Sequence, residues 1–392
     1  MILDYFKRRN IHMNNELKNI ISYIEASGDL NENALKEASA RQEVLAKPTG
    51  ALGTLEDISV QLAGITGKVK NSVKHQAIVI MSADNGVVDE GVASAPQSVT
   101  LSQTINFTRH LTGVSSMADY FGIDLLVVDT GVKMKIPASL YTDNMVDCTA
   151  GMFHLTGKIV NRRIADGTRN LAKEPAMTED EALRALMTGM EAAKSVKECG
   201  YDIFGVGEMG IGNTTTSACV LAALCGKNGE DVVGRGGGLN DEGLARKIRL
   251  VNEAVKGLDP EDVMDVLAKV GGFDICAMTG AFLGAAYYRL PVVIDGYISA
   301  VAALAAARLA PNAANFMFGS HQSKETGYLI AMDALGIKPL FNLGMRLGEG
   351  SGCPISFKII EAACATMNGM ATFDEGAIDA DYLEEGKKGN FF

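Results

Sequence analysis

The chain has 392 residues, of which 47% are hydrophobic, so it can bury one large core or two smaller ones. Its 36 basic and 47 acidic residues give a formal net charge of −11, which disfavours nucleic-acid binding because phosphates require basic surface. Seven scattered cysteines form no C-x-x-C pair and the five histidines lie far apart, which argues against a metal cluster.

The distribution of apolar residues gives no sign of export or of a membrane span. The N-terminal residues lack the apolar stretch of a secretory signal, and charged residues and a proline interrupt the apolar region 275–307. The unpaired cysteines favour a reducing compartment, so we expect a cytoplasmic protein. Either Met1 or Met13 is the true start, and residues 1–13 are a candidate upstream extension.

Periodicity predicts helices first and then a series of buried strands. Residues 14–46 have helical apolar spacing, and 173–200 form an amphipathic helix with an acidic first turn. Short runs that are apolar on both faces lie within 76–87, 123–132, 201–215, 290–300, 316–321 and 338–352. Helix-like runs follow these strands, which predicts an α/β fold with a parallel sheet between helices. The tail 374–392 is expected to fray or to form a short helix.

Polar side chains collect where the predicted strands end. They are Asp84, Asn85, Asp129, the segment 208–216, Asp295, Ser320, His321 and Glu349. Ligands of parallel sheets bind beyond the carboxyl ends of the strands, so these groups predict a single site.

The segment 207–220, GEMGIGNTTTSACV, predicts an anion or sugar site. Its glycines and hydroxyls precede a helix, and free N–H groups at a helix start bind phosphate. The lysine of a Walker loop is absent, which disfavours ATP hydrolysis. The alternative is a capped strand-to-helix turn without a ligand.

Two further glycine-rich loops are candidates. The segment 233–247 combines the successive glycines 236–238 with Arg235, Arg246 and Lys247, and its alternative interpretation is a surface connection. The segment 346–354, RLGEGSGCP, places Glu349 between glycines. A desolvated carboxylate there would be a competent base near neutral pH, whereas a solvated surface Glu is the alternative.

Together these segments resemble one family over about residues 40–370. The motifs are KPTGALGTLE, ADNGVVDEGV, GEMGIGNTTTSA, GRGGGLNDEGLARK, GGFDICAMTGAFLGAA, VVIDGYISA, GSHQSKETGY and RLGEGSG. In order and spacing they resemble the nicotinate-nucleotide–dimethylbenzimidazole phosphoribosyltransferases. GEMGIGNTT and RLGEGSG are the most specific of them.

The resemblance implies a reaction and a fold. The phosphoribosyl group of nicotinate mononucleotide would pass to a ring nitrogen of a benzimidazole for the cobalamin nucleotide loop. The products would be nicotinate and an α-riboside 5′-phosphate, without a metal or another cofactor. A Rossmann-like parallel sheet of about six strands would form an α/β catalytic domain over 75–345. Residues 14–74 and 346–392 would form a smaller helical domain, and the enzyme would be a homodimer.

The resemblance also implies roles for individual residues. Glu349 would be the catalytic base and Glu208 a supporting carboxylate. Substrate contacts would come from Gly210, Ile211, Gly212, Asn213, Thr214, Thr215, Lys247, Asp295, Ser323, Gln103 and Asp84. The loop 210–215 would cradle the phosphate or ribose, Asp295 would contact ribose hydroxyls, and Gln103 would contact the base.

The chain departs from the usual family pattern beside the expected acceptor pocket. Asn85 replaces a His, while Ala93 and Ala95 replace a Ser and a Tyr. Smaller side chains would widen that pocket, so relatives that use purines or phenols are an alternative. A non-catalytic protein that sequesters nucleotide or base is a second alternative, which the intact Glu208 and Glu349 disfavour. A Rossmann dehydrogenase is a third alternative, which the motifs quoted above disfavour.

Overall fold

The central element of the fold is an eight-stranded parallel sheet. A computed structural model of the chain describes residues 15–149 and 152–379. In spatial order the strands are Pro339–Phe341, Met317–His321, Val292–Ile294, Ile203–Met209, Gln76–Ala83, Asp124–Gly131, Ile159–Asn161 and Tyr141–Thr142. Every pair of neighbours is parallel. A separate antiparallel pair consists of Val146–Thr149 and Met152–Leu155.

Helices connect and flank these strands. The α-helices are Asn15–Ser27, Glu32–Val44, Thr54–Thr66, Ser98–Phe107, Gly113–Phe121, Glu179–Glu198, Asn213–Cys225, Gly229–Val232, Asp241–Ala254, Val263–Val270, Phe273–Tyr287, Tyr297–Leu309, Tyr328–Leu335 and Cys353–Gly369. Short 3₁₀ helices span Gly86–Glu90, Ala138–Leu140 and Pro311–Phe316. None of the helices in the described part of the chain combines the length and apolar composition needed to cross a bilayer.

The predicted α/β class and all six predicted strands are confirmed. The strand Gln76–Ala83 is buried along its whole length, which suits its β-branched residues and its place inside the sheet. The strands Ile159–Asn161 and Tyr141–Thr142 were not predicted, because two or three residues are too short for a periodic pattern. The predictions on residues 1–13, on the start and on the tail beyond 379 lie outside the described residues.

The chain divides into two compact units whose boundaries differ from the predicted ones. Of the described residues, the larger unit comprises those within 15–28 and 75–356, and the smaller comprises 29–74 and 357–379. Helix Asn15–Ser27 therefore belongs to the larger unit, not to the small helical domain. Its Tyr23 ring lies 4.5 Å from that of Tyr287, and further residues of the helix are buried. Within the smaller unit, Ala34, Ala38, Ala63 and Met367 form an apolar core.

Glycines allow the two longest helices of the larger unit to pack with their backbones in contact. A Cβ atom on Gly189 of helix Glu179–Glu198 would overlap the carbonyl oxygen of Ala277. A Cβ atom on Gly280 of helix Phe273–Tyr287 would overlap the carbonyl oxygen of Leu186. Because the clashing atoms belong to backbone, no side-chain rotation relieves them.

We therefore expect Gly189→Ala to lower the free energy of unfolding by about 2–3 kcal/mol, as overpacking does. The matched control is Gly369→Ala at the end of another helix, where a Cβ meets no atom within 4 Å. The control should change stability by less than about 1 kcal/mol. Urea unfolding followed by circular dichroism measures both variants, and wild-type stability of Gly189→Ala would contradict this packing.

Candidate active site

A pocket of ≈ 360 Å³ lies at the carboxyl ends of the central strands, within the size range of small-ligand sites. Most of the predicted site residues line it: Gln103, Glu208, Gly210, Ile211, Gly212, Asn213, Thr214, Asp295, Ser323 and Glu349. Thr215, Lys247 and Asp84 are buried but do not line it. Distant segments therefore converge at this pocket, but the strand-end residues Asn85, Asp129, Ser320 and His321 do not line it.

Glu349 occupies an unusual backbone conformation at this pocket. Gly348, Glu349 and Gly350 have φ values of 83°, 64° and 86°, so three successive residues are left-handed. Glycine adopts this region freely, whereas the same conformation costs a residue with a side chain on the order of 1–3 kcal/mol. The surrounding structure must therefore hold Glu349 in place.

Two buried carboxylates hold this loop through its backbone N–H groups. Glu349 N donates to Glu208 Oε1 at 3.2 Å. Gly350 N and Gly352 N donate to Asp295 Oδ2 and Oδ1 at 3.0 and 2.7 Å. Successive N–H groups in left-handed turns form anion-binding nests, and here the chain's own carboxylates fill the nest.

The Glu349 side chain is only 6% exposed, and its hydrogen bonds fix its direction. Oε1 accepts from Gln103 Nε2 and Oε2 accepts from Val114 N, both at 3.3 Å. Asn106 Nδ2 in turn donates to Gln103 Oε1 at 3.1 Å, which orients the Gln103 amide. Desolvation by burial raises the pKa of the Glu349 carboxyl, and these donors partly oppose the rise. A desolvated carboxylate at a pocket wall can act as a general base.

Glu208 lies near the end of the strand Ile203–Met209 and is 7% exposed. Its Oε2 accepts a short hydrogen bond of 2.5 Å from Asn213 Nδ2. Burial, and then the negative charge of Asp274, raise the pKa of Glu208 to about 8. Burial and the nearby Asp274 therefore favour the neutral form of Glu208 in the empty pocket.

The opposite side of the pocket suits an anion. Helix Asn213–Cys225 begins after Gly212, no side chain caps its N-terminus, and the buried Thr215 Oγ1 has no protein partner. Lys247 is 1% exposed, and its Nζ donates to Thr214 Oγ1 at 2.8 Å. Burial lowers the pKa of the Lys247 ammonium to about 8. A helix N-terminus backed by a cation is a favourable phosphate site.

Three predicted contacts have surroundings that the sequence did not indicate. Both Asp295 oxygens accept loop N–H groups, and burial raises the pKa of this carboxyl to about 7. Asp84 Oδ2 accepts from Lys133 N at 2.9 Å behind the pocket. Ser323 lines the pocket and its Oγ accepts from Glu325 N at 3.4 Å. Their roles as substrate contacts stay predictions.

Sequence reasoning missed Asp274 and two arginines. Asp274 lies in a quoted family motif, yet nothing in GGFDICAMTG separates it from an ordinary first-turn Asp of a helix. Arg235 and Arg346 line the pocket, and Arg235 was noted only as a charge in a glycine loop. Within the described residues, no three His, Cys, Asp or Glu side chains converge as metal ligands would.

Comparisons with known proteins agree with this geometry. A family model described as "Phosphoribosyltransferase" matches residues 28–378. The chain is 52% identical over 360 residues to the nicotinate-nucleotide–dimethylbenzimidazole phosphoribosyltransferase of Clostridium perfringens, covering 91% of this chain and 95% of the relative. It is 47% identical over 358 residues to the enzyme so named from Ruminiclostridium cellulolyticum, covering 91% and 97%.

Solved structures show the same similarity. The crystal structure of this phosphoribosyltransferase from Thermus thermophilus superposes with a TM-score of 0.81 at 36% identity, covering 89% of this chain and 99% of that one. Sequence and structure therefore lead to one conclusion: the chain belongs to the nicotinate-nucleotide–dimethylbenzimidazole phosphoribosyltransferase family.

Proposed function

We propose that this chain transfers the phosphoribosyl group of nicotinate mononucleotide to a ring nitrogen of 5,6-dimethylbenzimidazole or a related base. The products are nicotinate and an α-riboside 5′-phosphate for the cobalamin nucleotide loop. One observation carries the proposal: a buried carboxylate, Glu349, is fixed in a left-handed loop at a pocket that also contains an uncapped helix N-terminus. The family membership supports the same reaction.

The donor binds with its 5′-phosphate at the start of helix Asn213–Cys225. The dipole of this helix favours negative charge at its N-terminus, which no side chain caps. Lys247 adds a positive charge through its contact with Thr214. Because this end of the site is fixed before the donor arrives, the ribose C1′ is held toward the two glutamates.

Glu349 is the general base of the transfer. The N–H proton of the acceptor ring passes to Glu349, and the other ring nitrogen attacks C1′ of the ribose. The bond between C1′ and the nicotinate nitrogen breaks, and its electron pair neutralises the pyridinium, so the leaving group needs no acid. Attack opposite the leaving group inverts the β-linked donor to an α-linked product. Positive charge develops on the sugar, as in glycosidic transfer.

Glu208 and Asp295 support this base. Their carboxylates accept the N–H groups of residues 349, 350 and 352, which keeps Glu349 at the pocket wall. Asp295 also lines the pocket, and its carboxyl oxygens have lone pairs left to accept hydrogen bonds from the ribose hydroxyls.

We further propose a cytoplasmic homodimer. Leu111, Leu343 and Leu347 are 67%, 65% and 58% exposed, and Leu347 lines the pocket. A second copy that covers these leucines would bury apolar surface beside the bound substrates. The reducing compartment inferred from the dispersed cysteines supports the cytoplasm, where phosphorylated nucleotides occur.

Replacing the base tests the reaction directly. With nicotinate mononucleotide and 5,6-dimethylbenzimidazole, wild type should release nicotinate and form the riboside phosphate, detected by chromatography and mass. Glu349→Gln should lower kcat by about 10²- to 10⁴-fold, since it removes proton transfer. Wild-type kcat/KM should rise with pH, because the base must lose its proton and burial raises its pKa.

The exposed Glu198→Gln serves as the matched control and should keep wild-type activity. Donor binding by Glu349→Gln, measured by calorimetry, should persist. Equal turnover by wild type and Glu349→Gln would exclude Glu349 as the base, and donor binding without any product would favour the sequestering protein.

The acceptor side of the pocket yields a specificity prediction. Ala93 and Ala95 line the pocket where relatives of the usual pattern carry larger side chains. Ala95→Tyr should narrow the acceptor pocket. It should lower kcat/KM for 5,6-dimethylbenzimidazole relative to that for unsubstituted benzimidazole by about tenfold, because the two acceptors differ by two methyl groups. The KM for the donor should stay unchanged. The control Ala51→Tyr, which lies outside the pocket lining, should change neither the donor KM nor the acceptor ratio. An unaltered acceptor ratio would show that Ala95 does not bound the acceptor.

A further inference from the structure

A buried carboxylate outside the pocket is linked to Glu208 through one amide group. Asn213 Nδ2 donates to Glu208 Oε2 at 2.5 Å and to Asp274 Oδ2 at 3.1 Å. Asp274 lies in the first turn of helix Phe273–Tyr287, is fully buried and does not line the pocket. Its Oδ1 accepts from the N–H of Ile275 at 3.0 Å. Asp274 can thus act on the reaction only through its neighbours.

Two buried carboxyl groups that share one amide hydrogen-bond donor cannot both ionise without a large free-energy cost. Burial raises the pKa of Asp274 to about 6. The negative charge of Asp274 then disfavours ionisation of Glu208. Asp295 also faces Glu208 and adds to this effect, whereas the Asn213 amide and the Glu349 N–H oppose it. Asp84 is the further charged group that faces Asp274.

We propose that Asp274 is a positioning residue of the transfer reaction: it holds the Asn213 amide between two carboxyl groups, and its negative charge disfavours ionisation of Glu208. The effect of Asp274 on catalysis rests on the proposed function, whereas its effect on the ionisation of Glu208 does not. A carboxyl group that ionises less readily is less available as a base, so the charge of Asp274 favours Glu349 over Glu208 in that role.

The charge of Asp274 is removed without loss of shape in Asp274→Asn, and Asp274→Ser is a second variant that still permits helix capping. Infrared difference spectra recorded against pH follow the C=O band of the protonated Glu208 carboxyl, which is assigned by its loss in Glu208→Gln. In both Asp274 variants the band should disappear at a pH lower by about one unit than in wild type. Asp180→Asn, at an exposed first-turn carboxylate of another helix, should leave the band unchanged.

The catalytic consequence is measured in parallel from kcat against pH. The inflection of the kcat–pH profile that is assigned to Glu208 should move to lower pH in Asp274→Asn. In a Glu208→Gln background the same substitution should not shift the profile. A reduced kcat with an unmoved profile and an unmoved band would overturn the inference and leave Asp274 a purely structural residue. Absence of product from wild type would instead refute the proposed function, while the infrared titration would still test the role of Asp274.

Discussion

The site depends on the hydrogen bonds between the loop 348–352 and two buried carboxylates. Three successive left-handed residues and the turn that follows them present three N–H groups to Glu208 and Asp295. Without these acceptors the loop would have buried, unpaired donors and a strained glutamate, each of which costs free energy. The position of the Glu349 carboxylate is therefore set by residues that need not touch the substrate.

The parallel sheet makes this arrangement possible. Strands Ile203–Met209 and Val292–Ile294 are neighbours, with Val206 opposite Ile294. Glu208 lies two residues after one partner and Asp295 one residue after the other, so both carboxyl groups emerge at the same edge. Glu208 is buried near both Asp295 and Asp274, so its negative charge is costly, and burial raises the pKa of all three carboxyl groups. One end of the pocket thus has a helix N-terminus near the Lys247 ammonium, which suits a phosphate. The pocket is also lined by carboxyl groups whose pKa values are raised by burial.

Much of this could be predicted from residue patterns, and the remainder depends on tertiary contacts. Buried apolar runs predicted the six main strands, and the polar groups at their ends predicted one site. The glycines around Glu349 indicated a carboxylate that could be desolvated and act as a base, which agrees with its burial. The hydrogen bonds from the loop to Asp295 and the amide shared by Asp274 and Glu208 could not be predicted, because each joins segments far apart in the chain. The assignment of helix Asn15–Ser27 to the larger unit likewise depends on partners such as Tyr287.

The stereochemistry of the product tests the central claim most directly. The claim is a single displacement in which Glu349 takes the acceptor proton and no covalent sugar–enzyme intermediate forms. Proton NMR of the riboside phosphate made from β-nicotinate mononucleotide and 5,6-dimethylbenzimidazole reports the configuration at C1′. The α-anomer is the predicted result. A β-linked product would mean two displacements, with a carboxylate as nucleophile, and would contradict the role of Glu349 as a base.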